Sequence, residues 1–111
     1  MNVLDIINDI DVKALSRAEK NELLEQIRNE INSIDDSLVN LLDYRASKYE
    51  VLSSLKKHLG LDNYSPEREK EILERIKKSN TTNLQSGELM QIFERIIDIS
   101  RAIQRRLRDK E

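Results

Sequence analysis

The sequence predicts an all-α protein. The chain of 111 residues contains only two Gly and one Pro, and its Val, Ile and Thr residues never alternate with polar residues over the length of a strand. Apolar residues instead recur at steps of three and four over residues 24–59, which is the spacing of one helical face. We therefore expect three helices, the first of them very long, preceded by a short amino-terminal extension.

Composition argues against several classes of function. The 19 Lys and Arg residues against 21 Asp and Glu residues leave a net charge of -2, so no overall field attracts nucleic acid or an anionic membrane. The chain has no Cys and one His, too few ligands for a metal cluster of ordinary spacing. No apolar run has the length of a membrane span, and residues 1–11 lack the basic start of a secretion signal. We expect a cytoplasmic protein that needs no metal.

The amino-terminal extension is predicted over residues 1–20, and the helical domain over residues 21–111. An apolar patch over residues 3–10 is compatible with one short helix in the extension. Ser16 and Glu19 then have the spacing of a capping box, in which each side chain binds the backbone N–H of the other residue. The long helix is therefore expected to begin near Arg17.

The long helix is expected to end near Leu59, because Gly60 suits the left-handed turn that closes a helix. Its apolar seam is a heptad pattern kept over five repeats, with Arg45 in the middle. A guanidinium cannot lose its charge, so burying it without an anionic partner costs several kcal/mol. Two interpretations stay open from the seam alone: a bound anion, or a polar residue that fixes the register of a coiled coil.

The second helix is predicted to begin at Pro66, with Ser65 as its N-cap, and to continue to about Ser79. Arg68 and Glu69 fall in its first turn, where unpaired backbone N–H groups and the helix dipole favour a bound anion.

The third helix is predicted to open near Ser86. Its apolar seam is interrupted by Ser100, and Gln104 follows one turn later. Several arginines near its end are diluted by acidic residues and are expected to form a solvated face: Arg101, Arg105, Arg106 and Arg108.

Spacing along the first helix predicts a pocket and a second chain. Arg45 and Lys56 are eleven residues apart, which returns them to nearly the same face, roughly 16 Å apart along the axis. Arg28 lies seventeen residues before Arg45, roughly 25 Å away and turned by about 100°. The simplest geometry brings Arg28 in from a partner chain whose long helix runs antiparallel. A seam roughly 60 Å long also needs a partner of similar length.

Three segments in this order resemble the all-helical, type II chorismate mutases. They are LEQIRNEINSIDDSLVNLLDYRASKYEVLSSLK over residues 24–56, the opening Ser-Pro-Glu-Arg-Glu over residues 65–69, and the Ile-Phe, Ile-Ile and Ser-Arg-x-x-Gln series over residues 92–104. The resemblance covers about residues 23–107. It implies three helices per subunit interlocked in an antiparallel homodimer, with the extension having no counterpart in the minimal family domain.

The resemblance also implies roles for the cations and the amide. Arg28 is the arginine shared across the dimer, and Arg45 binds a substrate carboxylate. Lys56 contacts a carboxylate and the ether oxygen of the substrate, and Gln104 donates to the same ether oxygen.

The remaining substrate-binding residues implied by the resemblance are Ser65, Arg68, Glu69 and Ser100. Arg68 supplies further positive charge, and Glu69 binds the ring hydroxyl. Ser65 stands where the family usually has Asp, so a carboxylate is lost there while the N-cap role is retained.

The implied reaction is the pericyclic rearrangement of chorismate to prephenate, which serves phenylalanine and tyrosine biosynthesis. It needs no nucleophile, metal or cofactor, only selection of a compact conformer and stabilisation of charge on the ether oxygen. Alternatives are an isochorismate pyruvate-lyase on the same scaffold, and a non-catalytic regulatory helical dimer. The chain is also compatible with being one domain of a larger aromatic-biosynthesis enzyme.

Overall fold

The regular structure of the chain is entirely α-helical in the part that can be described. The computed structural model describes residues 9–110, with side chains from residue 11 onward. Its helices are α1 (Asp9–Ala14), α2 (Arg17–Leu59), α3 (Pro66–Lys77) and α4 (Ser86–Asp109). The all-α prediction with one very long helix is confirmed.

The helix count within residues 9–110 is four and not three, because α1 forms inside the amino-terminal extension. The side chains of the apolar patch over residues 3–10 lie outside the described residues. None of the four helices carries an apolar stretch long enough to cross a membrane. The cytoplasmic location stays a prediction.

The chain divides into two units, the first ending at Leu42 and the second beginning at Asp43. α1 and the part of α2 before the boundary belong to the first unit. The rest of α2 belongs to the second unit, together with α3 and α4.

In the first unit, a capping box opens α2 as the sequence predicted. The backbone N–H of Ser16 donates to Oε1 of Glu19 at 2.9 Å, and the N–H of Glu19 donates to Oγ of Ser16 at 3.1 Å. Two otherwise unpaired donors at the helix start are thereby satisfied. The backbone hydrogen bond from Ser16, helped by its side chain, lowers the pKa of Glu19. The helix accordingly begins at Arg17.

The apolar seam of the first unit is exposed. Each of its six members shows more than a third of its surface to solvent: Leu24, Ile27, Ile31, Ile34, Leu38 and Leu41. Ile34 and Leu41, for example, are 54% and 64% exposed. An apolar helical stripe of this kind is stabilised mainly by packing against a partner surface.

In the second unit, α2 ends in a Schellman motif. Gly60 adopts φ 68°, a left-handed conformation that costs little without a Cβ atom. The N–H of Leu61 donates to the Lys56 carbonyl at 2.8 Å, and that of Gly60 donates to the Lys57 carbonyl at 3.2 Å. The predicted stop at Gly60 is confirmed, and the turn directs the following loop back towards Lys56.

The starts of α3 and α4 are also set by local capping. Ser65 accepts a hydrogen bond from the N–H of Arg68 at 3.2 Å, with Pro66 in the first helical position. The N–H of Gln85 donates to Oε1 of Glu88 at 2.8 Å. Both predicted starts are confirmed, whereas α3 ends two residues earlier than expected, at Lys77.

The core of the second unit is small. α3 packs against α4, and one isoleucine from each helix is buried: Ile72 at 7% exposure and Ile97 at 5%. Ser53 on α2 and Ser100 on α4 are also buried. These four are the buried side chains among residues 11–110, so much of the apolar surface in that range stays uncovered.

Candidate active site

The second unit contains an open cavity of about 1310 Å³, lined by α2, α3, α4 and the loop between α2 and α3. Seven of the eight residues that the sequence analysis singled out line it: Arg45, Lys56, Ser65, Arg68, Glu69, Ser100 and Gln104. The cavity is therefore the candidate active site, and the eighth residue, Arg28, belongs to the first unit.

Arg45 projects from α2 and is held by α4. Its Nη1 donates to Oγ of Ser100 at 2.6 Å, and that hydroxyl donates to the Ile96 carbonyl at 2.8 Å. The guanidinium also lies 5.5 Å from the ring centroid of Tyr49. No Asp or Glu among the described residues forms an ion pair with Arg45. The charge is ordered by neutral groups and remains uncompensated.

Lys56 is held in the same way. Its Nζ donates to the Asn63 carbonyl at 2.7 Å and to Oε1 of Gln104 at 3.0 Å. Both acceptors are neutral, and burial lowers the pKa of Lys56 below its ordinary 10.5. The Schellman turn after α2 brings the Asn63 carbonyl to this position. Desolvation thus makes the charged form of Lys56 less favourable than it is in water, and an approaching anion would offset that cost.

The orientation of the Gln104 amide follows from Lys56. An ammonium group only donates hydrogen bonds, so the oxygen of Gln104 must face Lys56. The amide nitrogen then points the other way, with Nε2 at 3.4 Å from the Ser100 carbonyl. This contact is long, so the amide N–H groups keep donor capacity for a ligand.

Glu69 is bound by an arginine that the sequence analysis did not count in the site. Nε of Arg101 donates to Oε2 of Glu69 at 2.7 Å, and Nη2 donates to Oε1. These hydrogen bonds raise the pKa of Arg101 further above its ordinary range. The guanidinium lies 5.0 Å from the ring centroid of Tyr64.

Arg101 is exposed, as expected for a solvated arginine face, but it also pairs with Glu69 and lines the cavity, which was not expected. Arg105 and Arg108 also line the cavity. The signal lay in spacing, because Arg101 follows Ser100 directly and precedes Gln104 by one helical turn.

Ser65 and Arg68 lie at the start of α3. The hydroxyl of Ser65 caps the helix through the N–H of Arg68, and both residues line the cavity. The Arg68 side chain is 62% exposed, and its Nη1 lies 3.4 Å from Oε2 of Glu71. An exposed pair of this kind is weak, so the Arg68 guanidinium remains available to an anion.

Arg28 sits on the exposed surface of the first unit. Its side chain is 63% exposed, and its Nη1 lies 3.6 Å from Oε1 of Glu25, one turn earlier. Its role in a site shared between subunits stays a prediction.

The cavity is strongly cationic. Its lining includes two acidic residues, Asp62 and Glu69, against eight basic ones: Arg45, Lys48, Lys56, Lys57, Arg68, Arg101, Arg105 and Arg108. This local excess occurs in a chain whose net charge is -2. A concave surface lined by one sign of charge concentrates ligands of the opposite sign. The arrangement therefore suits a small, multiply charged anion.

Comparison with known proteins supports the family resemblance found in the sequence. The sequence profile of type II chorismate mutases matches residues 27–105. The chain is 33% identical over 85 residues to the chorismate mutase of Methanocaldococcus jannaschii. That alignment covers 76% of this chain and 86% of the M. jannaschii protein. It is also 37% identical over 59 residues to the bifunctional chorismate mutase/prephenate dehydratase of Aquifex aeolicus. That alignment spans 53% of this chain and 16% of the bifunctional protein.

A solved structure is similar to most of this chain. The crystal structure of chorismate mutase from Helicobacter pylori in complex with prephenate superposes with a TM-score of 0.73 at 30% sequence identity. The match covers 81% of this chain and 98% of the H. pylori chain. On the profile match and the similarity to the M. jannaschii enzyme, the chain belongs to the type II chorismate mutase family.

Proposed function

We propose that this chorismate mutase rearranges chorismate to prephenate inside the cationic cavity of its second unit. It does so by holding the compact conformer of the substrate and by stabilising the negative charge that develops on the ether oxygen. The similarity to a chorismate mutase solved with prephenate supports the choice of ligand.

One observation carries the proposal. Arg45 and Lys56 line the same cavity, and the hydrogen bonds that hold them within the described residues go to neutral oxygens. Two partly buried cations without carboxylate partners are costly unless a ligand supplies the anions. The two carboxylates of chorismate meet that need.

The proposed roles follow from the donors that each side chain presents. Arg45 binds one substrate carboxylate, since its guanidinium offers a planar pair of N–H groups beyond the bond to Ser100. Lys56 contacts a carboxylate and the ether oxygen. Gln104 donates its amide N–H to the ether oxygen, because Lys56 occupies its amide oxygen.

Four further residues complete the proposed site. Ser100 acts through Arg45, which it orients by its hydroxyl. Glu69 accepts a hydrogen bond from the ring hydroxyl of the substrate. Ser65 shapes the first turn of α3 by capping it, and Arg68 adds positive charge at the mouth of the cavity.

The energies of these contacts are comparable with the barrier reduction that the reaction needs. The rearrangement is unimolecular, so binding the compact conformer brings the reacting carbons together without a nucleophile or base. An acceleration of about a million-fold needs about 8 kcal/mol. Charge-assisted hydrogen bonds of about 1.5 to 3 kcal/mol each, strengthened as charge builds on the ether oxygen, supply much of that amount.

We also propose that the enzyme is an antiparallel homodimer in which the helices of residues 21–111 interlock, with residues 1–20 as an extension. The exposed apolar seam of the first unit supports a partner of similar length. In this arrangement Arg28 reaches the active site of the partner subunit, so each site uses both chains. We place the enzyme in the cytoplasm.

The test is a chorismate assay that follows loss of chorismate absorbance with wild type, Arg28→Ala, Arg45→Ala and a mixture of both variants. Each variant alone should be strongly impaired. After subunit exchange, half of the dimers are mixed and each contains one intact site, so activity should recover to about a quarter of the wild-type value. No turnover by the wild type would overturn the activity, and release of pyruvate would indicate a lyase.

Absence of recovery on mixing would argue against the shared site. Resonance energy transfer between a donor label on one variant and an acceptor label on the other establishes that exchange has occurred. Full activity of Arg28→Ala alone would remove Arg28 from the site without affecting the proposed role of Arg45.

A further inference from the structure

The bidentate pair between Arg101 and Glu69 is a contact of the cavity that the proposed mechanism leaves without a role. It joins α4 to the first turn of α3, and both side chains line the cavity. Glu69 keeps 18% of its side-chain surface exposed, against 42% for Arg101. The carboxylate is therefore the more enclosed partner, and the arginine is the partner nearer to solvent.

The arginine itself is fixed by its surroundings. Its guanidinium lies over the ring of Tyr64, in the loop that also supplies the Asn63 carbonyl to Lys56. A planar guanidinium that stacks on an aromatic ring and binds both oxygens of a carboxylate has little rotational freedom. The pair is thus a rigid element of the cavity wall.

Glu69 presents an electrostatic difficulty for the proposed substrate. A carboxylate in a cavity that binds a dianion repels both substrate carboxylates, and the repulsion is poorly screened where water is excluded. The other acidic residue of the lining, Asp62, lies in the loop before α3 and is exposed. Glu69 is therefore the acidic group that most needs a neighbouring cation.

We propose that Arg101 is a positioning residue that neutralises and orients Glu69, so that this carboxylate accepts the substrate hydroxyl without repelling the substrate carboxylates. The inference rests on the proposed function of the cavity. It concerns a residue that acts through Glu69 and does not itself contact the reacting atoms.

The geometry of a carboxylate makes the two contacts compatible. Each oxygen has two lone pairs, and the bidentate arginine uses one on each. The remaining lone pairs accept a hydroxyl hydrogen bond while the ion pair stays intact. Arg101 consequently need not move when substrate binds.

The experiment is a double-mutant cycle with Arg101→Gln, Glu69→Gln and the double variant, measured by steady-state kinetics on chorismate. Arg101→Gln should raise KM by about tenfold with a smaller change in kcat, since repulsion opposes ground state and transition state alike. Glu69→Gln should weaken the hydroxyl contact and raise KM about threefold. The double variant should have a KM close to that of Glu69→Gln, because the uncompensated charge is gone.

Two further variants separate charge from geometry. Arg101→Lys keeps the charge but loses the planar guanidinium that binds both oxygens of Glu69, so its KM should lie between those of wild type and Arg101→Gln. Arg95→Gln removes an equal charge from an exposed position on α4, where Arg95 pairs with Asp98 at 3.8 Å, and should leave kcat and KM unchanged. Thermal unfolding followed by circular dichroism checks each fold. If Arg101→Gln does not fold, Arg101→Lys and the double variant carry the test.

The outcomes are distinguishable. Additive effects in the cycle, or an unchanged KM in Arg101→Gln, would overturn the positioning role. Wild-type kinetics in Glu69→Gln would instead remove the proposed contact between Glu69 and substrate, and a wild type inactive on chorismate would overturn the proposed function itself.

Discussion

Two arginines on α2 have opposite surroundings in the two units. Arg28, in the first unit, is 63% exposed and pairs with Glu25 on the same helix. Arg45, in the second unit, is half-buried, donates to Ser100 on α4 and has no carboxylate partner among the described residues. The same side chain is therefore solvated in one unit and ordered by neutral groups in the other.

The apolar residues of α2 show a related difference. Those of the first unit are exposed, and the described residues of that unit add only the short α1 and its connection to α2. In the second unit, α3 and α4 bury Ile72 and Ile97 and bring polar side chains to a cavity. Among the described residues, the first unit thus presents an uncovered apolar stripe, whereas the second presents a concentration of uncompensated positive charge. Four predictions test this comparison.

The largest effect is expected from a charge placed on the exposed seam of the first unit. Ile31→Asp in a symmetric dimer introduces two carboxylates and removes two apolar contacts, at about 5 to 6 kcal/mol in total. The dissociation constant of the dimer should rise about 10⁴-fold, as measured by sedimentation equilibrium.

The matched control for the seam is Asn29→Asp, which adds the same charge on the opposite face of α2. It should leave the dimer intact. A dimer that survives Ile31→Asp would mean that this seam is not the interface, and equal disruption by both variants would point to a general effect of charge.

The second effect concerns the cavity of the second unit. Arg45→Ala should lower kcat/KM about 10³-fold, because two charge-assisted contacts to a carboxylate are lost, together about 4 kcal/mol. Thermal stability should not fall much, since the variant removes an uncompensated charge. Arg95→Ala, at a site 79% exposed on α4, is the control and should be neutral in both measurements.

An Arg45→Ala variant with near-normal kinetics would contradict the role assigned to the uncompensated guanidinium. A large loss of stability in the same variant would show that Arg45 serves the fold more than the ligand.

The helices were readable from the sequence because their ends are set locally. The capping box at Ser16, the N-cap at Ser65 and the turn at Gly60 each depend on residues within one helical turn. The sequence is only compatible with the short α1, since six residues carry too little periodicity to identify a helix.

The site was only partly readable, because its side chains come from three helices and a loop. The apolar seam indicated Arg45 and a family resemblance indicated Gln104, but neither gave a sign that the Asn63 carbonyl binds Lys56, since a backbone oxygen leaves no trace in sequence. Arg101 was missed for a different reason. Neighbouring acidic residues made its helical face look solvated, and its partner Glu69 lies 32 positions away in the chain.

The third effect is the pH dependence of the rate. Gln104 does not titrate, so kcat/KM should not require acidic conditions and should be flat upward from pH 6. Burial lowers the pKa of Lys56 from 10.5, so the rate should fall about tenfold per pH unit above that lowered pKa. Lys56→Arg, which stays charged, should have a lower rate without this alkaline decline.

Stability should change in the opposite direction over the same window. Lys56 has a pKa near 10.5 in the unfolded chain and a lower pKa in the folded chain. At pH values between the two, the unfolded chain binds the Lys56 proton more tightly, so the contribution of Lys56 to the free energy of unfolding rises with pH. Urea unfolding at several pH values measures this change in the free energy of unfolding. A decline that begins at pH 6, or one that persists in Lys56→Arg, would exclude Lys56 as the titrating group.

The smallest effect comes from the same substitution at two helix caps, one in each unit. Ser16→Ala and Ser65→Ala each remove an N-cap hydroxyl, and each should cost about 1 kcal/mol of unfolding free energy in urea. Only Ser65→Ala should also raise KM, by about twofold to fivefold, because the turn that it caps carries Glu69 into the cavity.

Because Ser16 lowers the pKa of Glu19, the support from that capping box is present above pH 4.5 and is lost as the pH falls through the lowered value. The backbone N–H of residue 16, the main cause of the lowered pKa, remains in Ser16→Ala, so the stability difference from wild type should shrink in acid only by the smaller part that the hydroxyl contributes. A change of KM in Ser16→Ala would mean that the first cap also serves the site.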